Sequence, residues 1–301
     1  MSTLVVRGHT FHWGRQTYIM GILNATPDSF SGDGLAPPAA RGAAGSGEDW
    51  LVAAVEQGGR FVAQGAHLLD VGGESTRPGS RPVSVDEELR RVVPLVEALA
   101  TAVNAPISID TSKAAVAEAA LRAGASIVND VWGLRLDPAI AAVAAAAGAP
   151  VILMHNRSRR EQVVIDPALG GHYVGAAYGD LLADIAGELQ ISIDLARRAG
   201  IPDSQIILDP GLGFGKTVAQ NLELLDRLGE LRSLGHPLLA GPSRKSFIGH
   251  TLELPPEQRV EGSAAAVAIA IARGADLVRV HDVQAMARVA KMTDAIVRRA
   301  R

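Results

Sequence analysis

The chain has 301 residues, 48% of them apolar, with 29 basic and 32 acidic side chains, a formal charge of −3 and no cysteine. These figures exclude disulfides, thiolate zinc centres and a cysteine nucleophile. With no basic block in sight, no nucleic-acid or membrane partner is expected. The apolar content can fill one large core and no linker is visible, so residues 1–301 are expected as one domain. No apolar run is long enough to span a bilayer, and the opening MSTLVVRGHTFHWGR lacks an apolar signal core, which points to the cytoplasm.

In chain order, residues 4–6 and 11–13 flank Arg7–Thr10 as the strands of a hairpin. Eight short aliphatic segments follow, at 18–23, 68–71, 107–109, 127–128, 151–154, 206–208, 238–240 and 277–280. Nearly continuous apolar runs of this length suit strands buried on both faces. A helical pattern follows each. In 86–103, Leu89, Val92, Val93, Val96, Leu99 and Val103 fall on one stripe, Ser84 and Glu87 have capping-box spacing, and Pro94 is expected to interrupt and kink the helix. Residues 257–273 and 283–297 read as the last two helices, and 32–49, rich in Gly, Ala and Pro, as a long loop. Strand–helix alternation eight times over predicts an α/β fold, a (β/α)8 TIM barrel, with the hairpin plugging its bottom. An open doubly wound sheet is the alternative.

Polar residues stand at or just after the C-terminal end of every strand: Asn24, Asp70, Asp110, Asn129, His155, Asp209, Ser243 with Lys245, and Arg279 with His281. One such residue is ordinarily a turn former. Eight in register at the mouth of a barrel predict one site.

These residues sit in recognisable strings. Residues 20–31 read MGILNATPDSFS, 70–80 DVGGESTRPGS, 108–113 SIDTSK, 128–131 VNDV, 209–217 DPGLGFGKT, 243–249 SRKSFIG and 279–283 RVHDV. In this order the set resembles the dihydropteroate synthases of the pterin-binding family, across nearly the whole chain. Two places depart from the family pattern: the loop after Ser31 is longer, and Asn156-Arg157-Ser158 follow Met154-His155. The resemblance implies a (β/α)8 barrel, magnesium, a homodimer, and condensation of p-aminobenzoate with 6-hydroxymethyl-7,8-dihydropterin diphosphate.

The resemblance also implies roles. Asp209 would read the aminopyrimidinone edge of the pterin, because a carboxylate accepts two parallel N–H bonds. Asp110 and Asn129 would read the rest of the ring, with Met154 and Phe214 on its faces, Gly241 beside it, and Lys245 between it and p-aminobenzoate. Arg279 and His281, two apart on one strand, would face the same side and hold the diphosphate, with Asn24 as a magnesium or diphosphate contact. Phe30, Thr76, Arg77, Pro78 and Ser246 would surround p-aminobenzoate. Asp110, Lys245 and Arg279 are the implied catalytic residues of an SN1-like reaction.

Other signals lead elsewhere or nowhere. GLGFGKT at 211–217 looks like a phosphate loop, but the first glycine it needs falls on Pro210. His9 and His12 belong to the hairpin and read as surface residues. Lys245 at a strand end is also compatible with a Schiff-base aldolase, which borohydride trapping would reveal. A pterin-binding methyltransferase domain would not be expected to carry both STRPGS and SRKS. A catalytically silent pterin-binding relative would be exposed by an assay with both substrates.

Overall fold

Strands β1 (Thr3–Val6) and β2 (His9–His12) pair antiparallel across Arg7-Gly8. Both turn residues have positive φ, 47° and 78°, the two-residue turn whose twist matches a hairpin. The computed structural model describes residues 3–25, 49–159 and 161–299. The stretch 32–48, expected as most of a long loop, lies outside them, as does Phe30.

The barrel strands are β3 (Tyr18–Asn24), β4 (Leu68–Gly72), β5 (Ile107–Asp110), β6 (Ile127–Asp130), β7 (Val151–Met154), β10 (Ile206–Asp209), β11 (Leu239–Ala240) and β12 (Leu277–Val280). They form one eight-stranded sheet in the order β10-β7-β6-β5-β4-β3-β12-β11, with parallel pairing throughout. A parallel bridge from Leu208 to Leu238 joins the two ends and closes the barrel, so the open sheet is discarded. Helices surround it: α1 (Asp49–Ala63), α2 (Val85–Ala102), α3 (Ala114–Ala123), α4 (Ala139–Ala147), α5 (Leu181–Arg198), α6 (Val218–Asp226), α7 (Ser246–Leu252), α8 (Val260–Ala272) and α9 (Val283–Val297).

Strand alternation sorts the side chains. Leu69, Val71, Ile109, Val128, Leu153, Leu208 and Val278 pack outward in the core shared with the helices. Their neighbours point inward. At the lower end these are Met20, Leu68, Ile127, Ile152, Ile207, Leu239 and Leu277, in one cluster with Leu4, Val6, Phe11 and Trp13 of the hairpin. The hairpin is therefore the barrel's floor, and it buries apolar surface that water would otherwise reach. One pleat higher, the same inward face carries Asp70, Asp110, Asn129, Asp209 and Arg279. Apolar below and polar above is the arrangement that confines chemistry to the mouth.

Several expectations are corrected. Strands β3, β4, β5, β6 and β10 run one or two residues further than the aliphatic runs, because the residues at their ends, polar in all but β4, still belong to the ladder. β11 starts at Leu239, one residue later than expected, and Leu238 forms the closing bridge. Ser84 caps α2 through the Glu87 amide, at 3.2 Å, but the carboxylate of Glu87 is taken by Arg90 and Arg91, each at 2.8 Å, so the reciprocal bond of a capping box is not made. Helix α2 runs through Pro94 without interruption. Helix α8 starts at Val260, after a separate 3-10 turn at Pro256–Gln258. A second hairpin was not expected: β8 (Val163–Asp166) and β9 (Gly170–Tyr173) pair antiparallel between β7 and α5.

Candidate active site

At the centre of the mouth, Arg279 forks between two carboxylates. Its Nε donates to Asp70 Oδ2 at 2.6 Å and its Nη2 to Asp110 Oδ2 at 2.7 Å. Asn129 Nδ2 donates to the same Asp70 oxygen at 3.1 Å. Asp70 is wholly buried, and its Oδ1 has no hydrogen-bond partner among the described residues. One cation thus serves two buried acids. Burial pushes Asp110 up to about 7; Arg279 pulls the other way, and Asp70, Glu88 and Asp130 add to the rise. A carboxyl that titrates near neutrality at a barrel mouth is a functional candidate on physical grounds.

The second group lies across the cavity. Asp209 accepts from the Gly211 amide at 2.7 Å, and burial raises its pKa against the pull of Lys245. Lys245 donates to the Leu212 carbonyl and stands 4.6 Å over the Phe214 ring. Burial lowers it to about 8, with Asp209 holding it up. Gly241 leaves room here: a β-carbon on it would lie 3.6 Å from Arg279 Cβ and 3.9 Å from Lys245 Nζ. Met154, Phe214, Val131 and Tyr173 form a small apolar cluster beside these charges, a slot for a flat ring between polar edges.

The rim completes a cavity of about 450 Å³. It is lined by Asn24, half-buried at the end of β3, by Thr76, Arg77 and Pro78 of the β4–α2 loop, and by Ser246 and His281. Nδ1 of His281 lies 3.1 Å from Ser243 Oγ. Burial and the neighbouring arginines hold His281 well below its usual pKa, so it faces the cavity as a neutral ring. Arg244, beside Lys245, is paired with Asp282 at 2.6 and 2.9 Å. Among the described residues no group of three or more His, Cys, Asp or Glu side chains could hold a metal.

The structure thus brings every described candidate to one region. Asn24, Thr76, Arg77, Pro78, Asp110, Phe214, Lys245, Ser246, Arg279 and His281 line the cavity itself. Asn129, Met154, Asp209 and Gly241 stand behind or below it. Sequence reasoning gave no role to Asp70, although its position between outward-facing Leu69 and Val71 already placed it inside. It also missed Lys216, buried beneath the 211–215 loop. Lys216 donates to the carbonyls of Gly211 at 2.8 Å and Phe214 at 3.1 Å, with His155 Nδ1 at 3.1 Å. Burial lowers Lys216 to about 7; burial and the Lys216 cation lower His155 to about 2, leaving its Nδ1 free to accept. A third omission is the anchor of the β4–α2 loop. Lys113 binds Glu74 at 2.5 Å and also Glu88, which accepts from Thr111 at 2.7 Å. Arg91 donates to the Gly73 carbonyl at 2.9 Å.

This arrangement has known counterparts. Residues 20–281 match the pterin-binding enzyme family. The chain is 48% identical to the dihydropteroate synthase of Synechocystis over 95% of this chain and 92% of that one. It is 46% identical to that of Bacillus subtilis, over 93% and 89%. Among solved structures, a dihydropteroate synthase from Clostridium difficile, determined in the presence of pteroic acid, superposes with a TM-score of 0.85 at 45% identity, covering 96% of this chain and all of that one. The Xanthomonas albilineans enzyme with 4-aminobenzoic acid gives 0.84 at 41% identity, covering 98% of both. By family match, by relatives along nearly its whole length and by fold, the chain belongs to the dihydropteroate synthase family of pterin-binding enzymes.

Proposed function

We infer that this chain condenses p-aminobenzoate with 6-hydroxymethyl-7,8-dihydropterin diphosphate, giving 7,8-dihydropteroate and diphosphate. The observation that carries the reading is the cavity itself. One side offers buried carboxylates beside an apolar slot, suited to a flat heterocycle with N–H edges. The other offers cationic and neutral polar groups, suited to a diphosphate. Asp209 accepts from the aminopyrimidinone edge, and Asp110 and Asn129 contact the rest of the ring between Met154 and Phe214, with Gly241 leaving space for it. Arg279 and neutral His281 receive the diphosphate. Thr76, Arg77, Pro78 and Ser246, with Phe30, border p-aminobenzoate, and Lys245 stands between the two substrates.

The chemistry follows from charge. The methylene C–O bond breaks and its electron pair leaves with the diphosphate, aided by the fixed Arg279 cation. The methylene carbon becomes cationic, and Asp110 and Asp209 stabilise it without moving. The arylamine lone pair then forms the C–N bond, and the nitrogen sheds one proton. An arylamine is neutral at pH 7, so no strong base is required. Asn24 would offer magnesium a hard oxygen, which suits an ion that keeps waters and phosphate oxygens as its other ligands. When bound it would neutralise diphosphate charge. Assembly as a homodimer and a cytoplasmic location rest on the resemblance, and the cysteine-free composition fits the latter.

The test uses the purified chain with pterin diphosphate, p-aminobenzoate and magnesium, following dihydropteroate. Product that requires both substrates is expected; none would refute the reading. Asp209→Ala should remain folded and lose pterin affinity by about 2–5 kcal/mol, the usual cost of removing one partner of a buried charge-assisted pair. Near-normal pterin binding by calorimetry would remove Asp209 from its role.

A further inference from the structure

The β8–β9 hairpin reaches from the apolar slot to the β4–α2 loop, and neither the fold nor the reaction so far has given it a task. Tyr173, buried at the end of β9, stacks on Phe214 with centroids 6.1 Å apart and planes 27° apart. Its hydroxyl donates to the carbonyl of Thr76 at 3.1 Å. The packing around this bond is close. A β-carbon on Gly171 would lie 3.0 Å from the Pro78 carbonyl oxygen, and one on Gly79 would lie 3.1 Å from Ile165 Cδ1. On its far side the hairpin is held by Arg259, a buried side chain. Arg259 Nη2 donates to Leu169 O at 2.7 Å and its Nη1 to Arg244 O at 3.0 Å. The hairpin therefore joins the two segments that carry Thr76–Pro78 and Lys245–Ser246.

The β4–α2 loop is tied at its root and packed against the hairpin at its tip. The root is ionic, through Glu74 and Lys113, with Arg91 on Gly73. Within the loop, Ser80 closes a ring by donating from its Oγ to Ser75 O at 2.6 Å and from its amide to Arg77 O at 3.0 Å. Such a ring moves as one unit, and the Tyr173 hydroxyl grips it at Thr76. We propose that Tyr173 is a positioning residue for the second substrate: by holding Thr76 while stacking on Phe214, it fixes the p-aminobenzoate loop against the pterin slot. The proposal rests on the functional reading above, which places Thr76, Arg77 and Pro78 around p-aminobenzoate.

Tyr173→Phe keeps the ring and removes the hydroxyl that grips Thr76. One neutral hydrogen bond corresponds to about two- to tenfold in an equilibrium. Hydrogen exchange at the amides of Arg77, Gly79 and Ser80 should therefore quicken by about that factor in the ligand-free variant. The KM for p-aminobenzoate should rise by a similar factor while the KM for the pterin diphosphate moves by less than about twofold. In Tyr173→Ala, which also loses the stack on Phe214, both KM values should rise. Faster exchange with no change in the p-aminobenzoate KM would make the grip merely structural. A raised KM without faster exchange would make it a direct contact, and equal rises for both substrates in Tyr173→Phe would remove the selectivity. Each of these overturns the proposal. A wild-type chain that forms no dihydropteroate would instead reject the functional reading, since the exchange measurement needs no turnover.

Discussion

Arg279→Ala is the most informative single change, because one guanidinium compensates two buried acids. Its side chain is 20% exposed, those of Asp70 and Asp110 0% and 8%. Removing one partner of a buried ion pair costs about 3–5 kcal/mol, since the charge left behind is uncompensated. Here two are left, and the cheapest relief is protonation. In the wild type burial has already lifted Asp110 from 3.8 to about 7; without Arg279 it rises further. A carboxyl whose folded pKa is raised leaves stability intact below its unfolded pKa and lowers it as pH climbs through the folded value. The variant should therefore be close to wild type at pH 5 and, with Asp110 already at about 7 in the wild type, up to about 2 kcal/mol less stable at pH 8.5, at about 1.4 kcal/mol per pH unit. Urea titration followed by tryptophan fluorescence reads this directly, and Asp70→Asn in the same background should recover part of the loss at high pH. A deficit that is independent of pH, or below about 1 kcal/mol throughout, would refute the idea that Arg279 compensates both acids. The same variant should lose more affinity for a diphosphate-bearing pterin than for the bare ring, and equal losses would separate Arg279 from the diphosphate.

Two further outcomes follow from the 211–216 segment. Gly211 has φ +71°, and a β-carbon there would stand 1.9 Å from the His155 carbonyl oxygen. Gly211→Ala should therefore lose at least about 2–3 kcal/mol in urea titration; wild-type stability would show that the loop can move aside. Lys216 is depressed by burial from 10.5 to about 7. Between those values the unfolded chain binds a proton that the folded one does not, so this group's contribution rises with pH and is lost as pH falls through 7. The stability of the wild type relative to Lys216→Met should grow from pH 7 to pH 9 by up to about 1.4 kcal/mol per unit; a flat difference would mean that Lys216 stays charged when buried.

The barrel was legible because each strand is covered on both faces, and a run such as Val151–Met154 has no polar residue to disguise it. Strand ends were harder for the converse reason. Asp110, Asn129 and Asp209 read as the start of loops, yet their backbones are still in the ladder while their side chains face the mouth. The candidate site was legible as a row of strand-end polar residues and as family strings. What those signals could not show is pairing at long range. Asp70 and Arg279 are 209 residues apart, and only closure of the barrel brings them within 2.6 Å. The β8–β9 hairpin escaped for a different reason. Val164 and Ile165 are exposed and Val163 is only half-buried against the small cluster of Met154, Tyr173 and Phe214, so their short aliphatic run did not stand out from a loop. Lys216 sat inside a string dismissed as a false phosphate loop. Its burial depends on the carbonyls of Gly211 and Phe214 turning inward, which spacing alone does not encode.

The floor hairpin carries a consequence for assembly. Its apolar face, Leu4, Val6, Phe11 and Trp13, has partners scattered from Tyr18 to Leu277. Just after it, Gly14 donates to Asp276 and Thr17 to Asp294, at 2.9 and 2.6 Å. During synthesis this segment would emerge before all of those partners and wait until Leu277 is made before the last of them exists. The seam between β3 and β12 closes late for the same reason, and contacts at such separation make folding slow. Until then the exposed hairpin is a sticky, strand-forming surface, the kind of intermediate that chaperones bind.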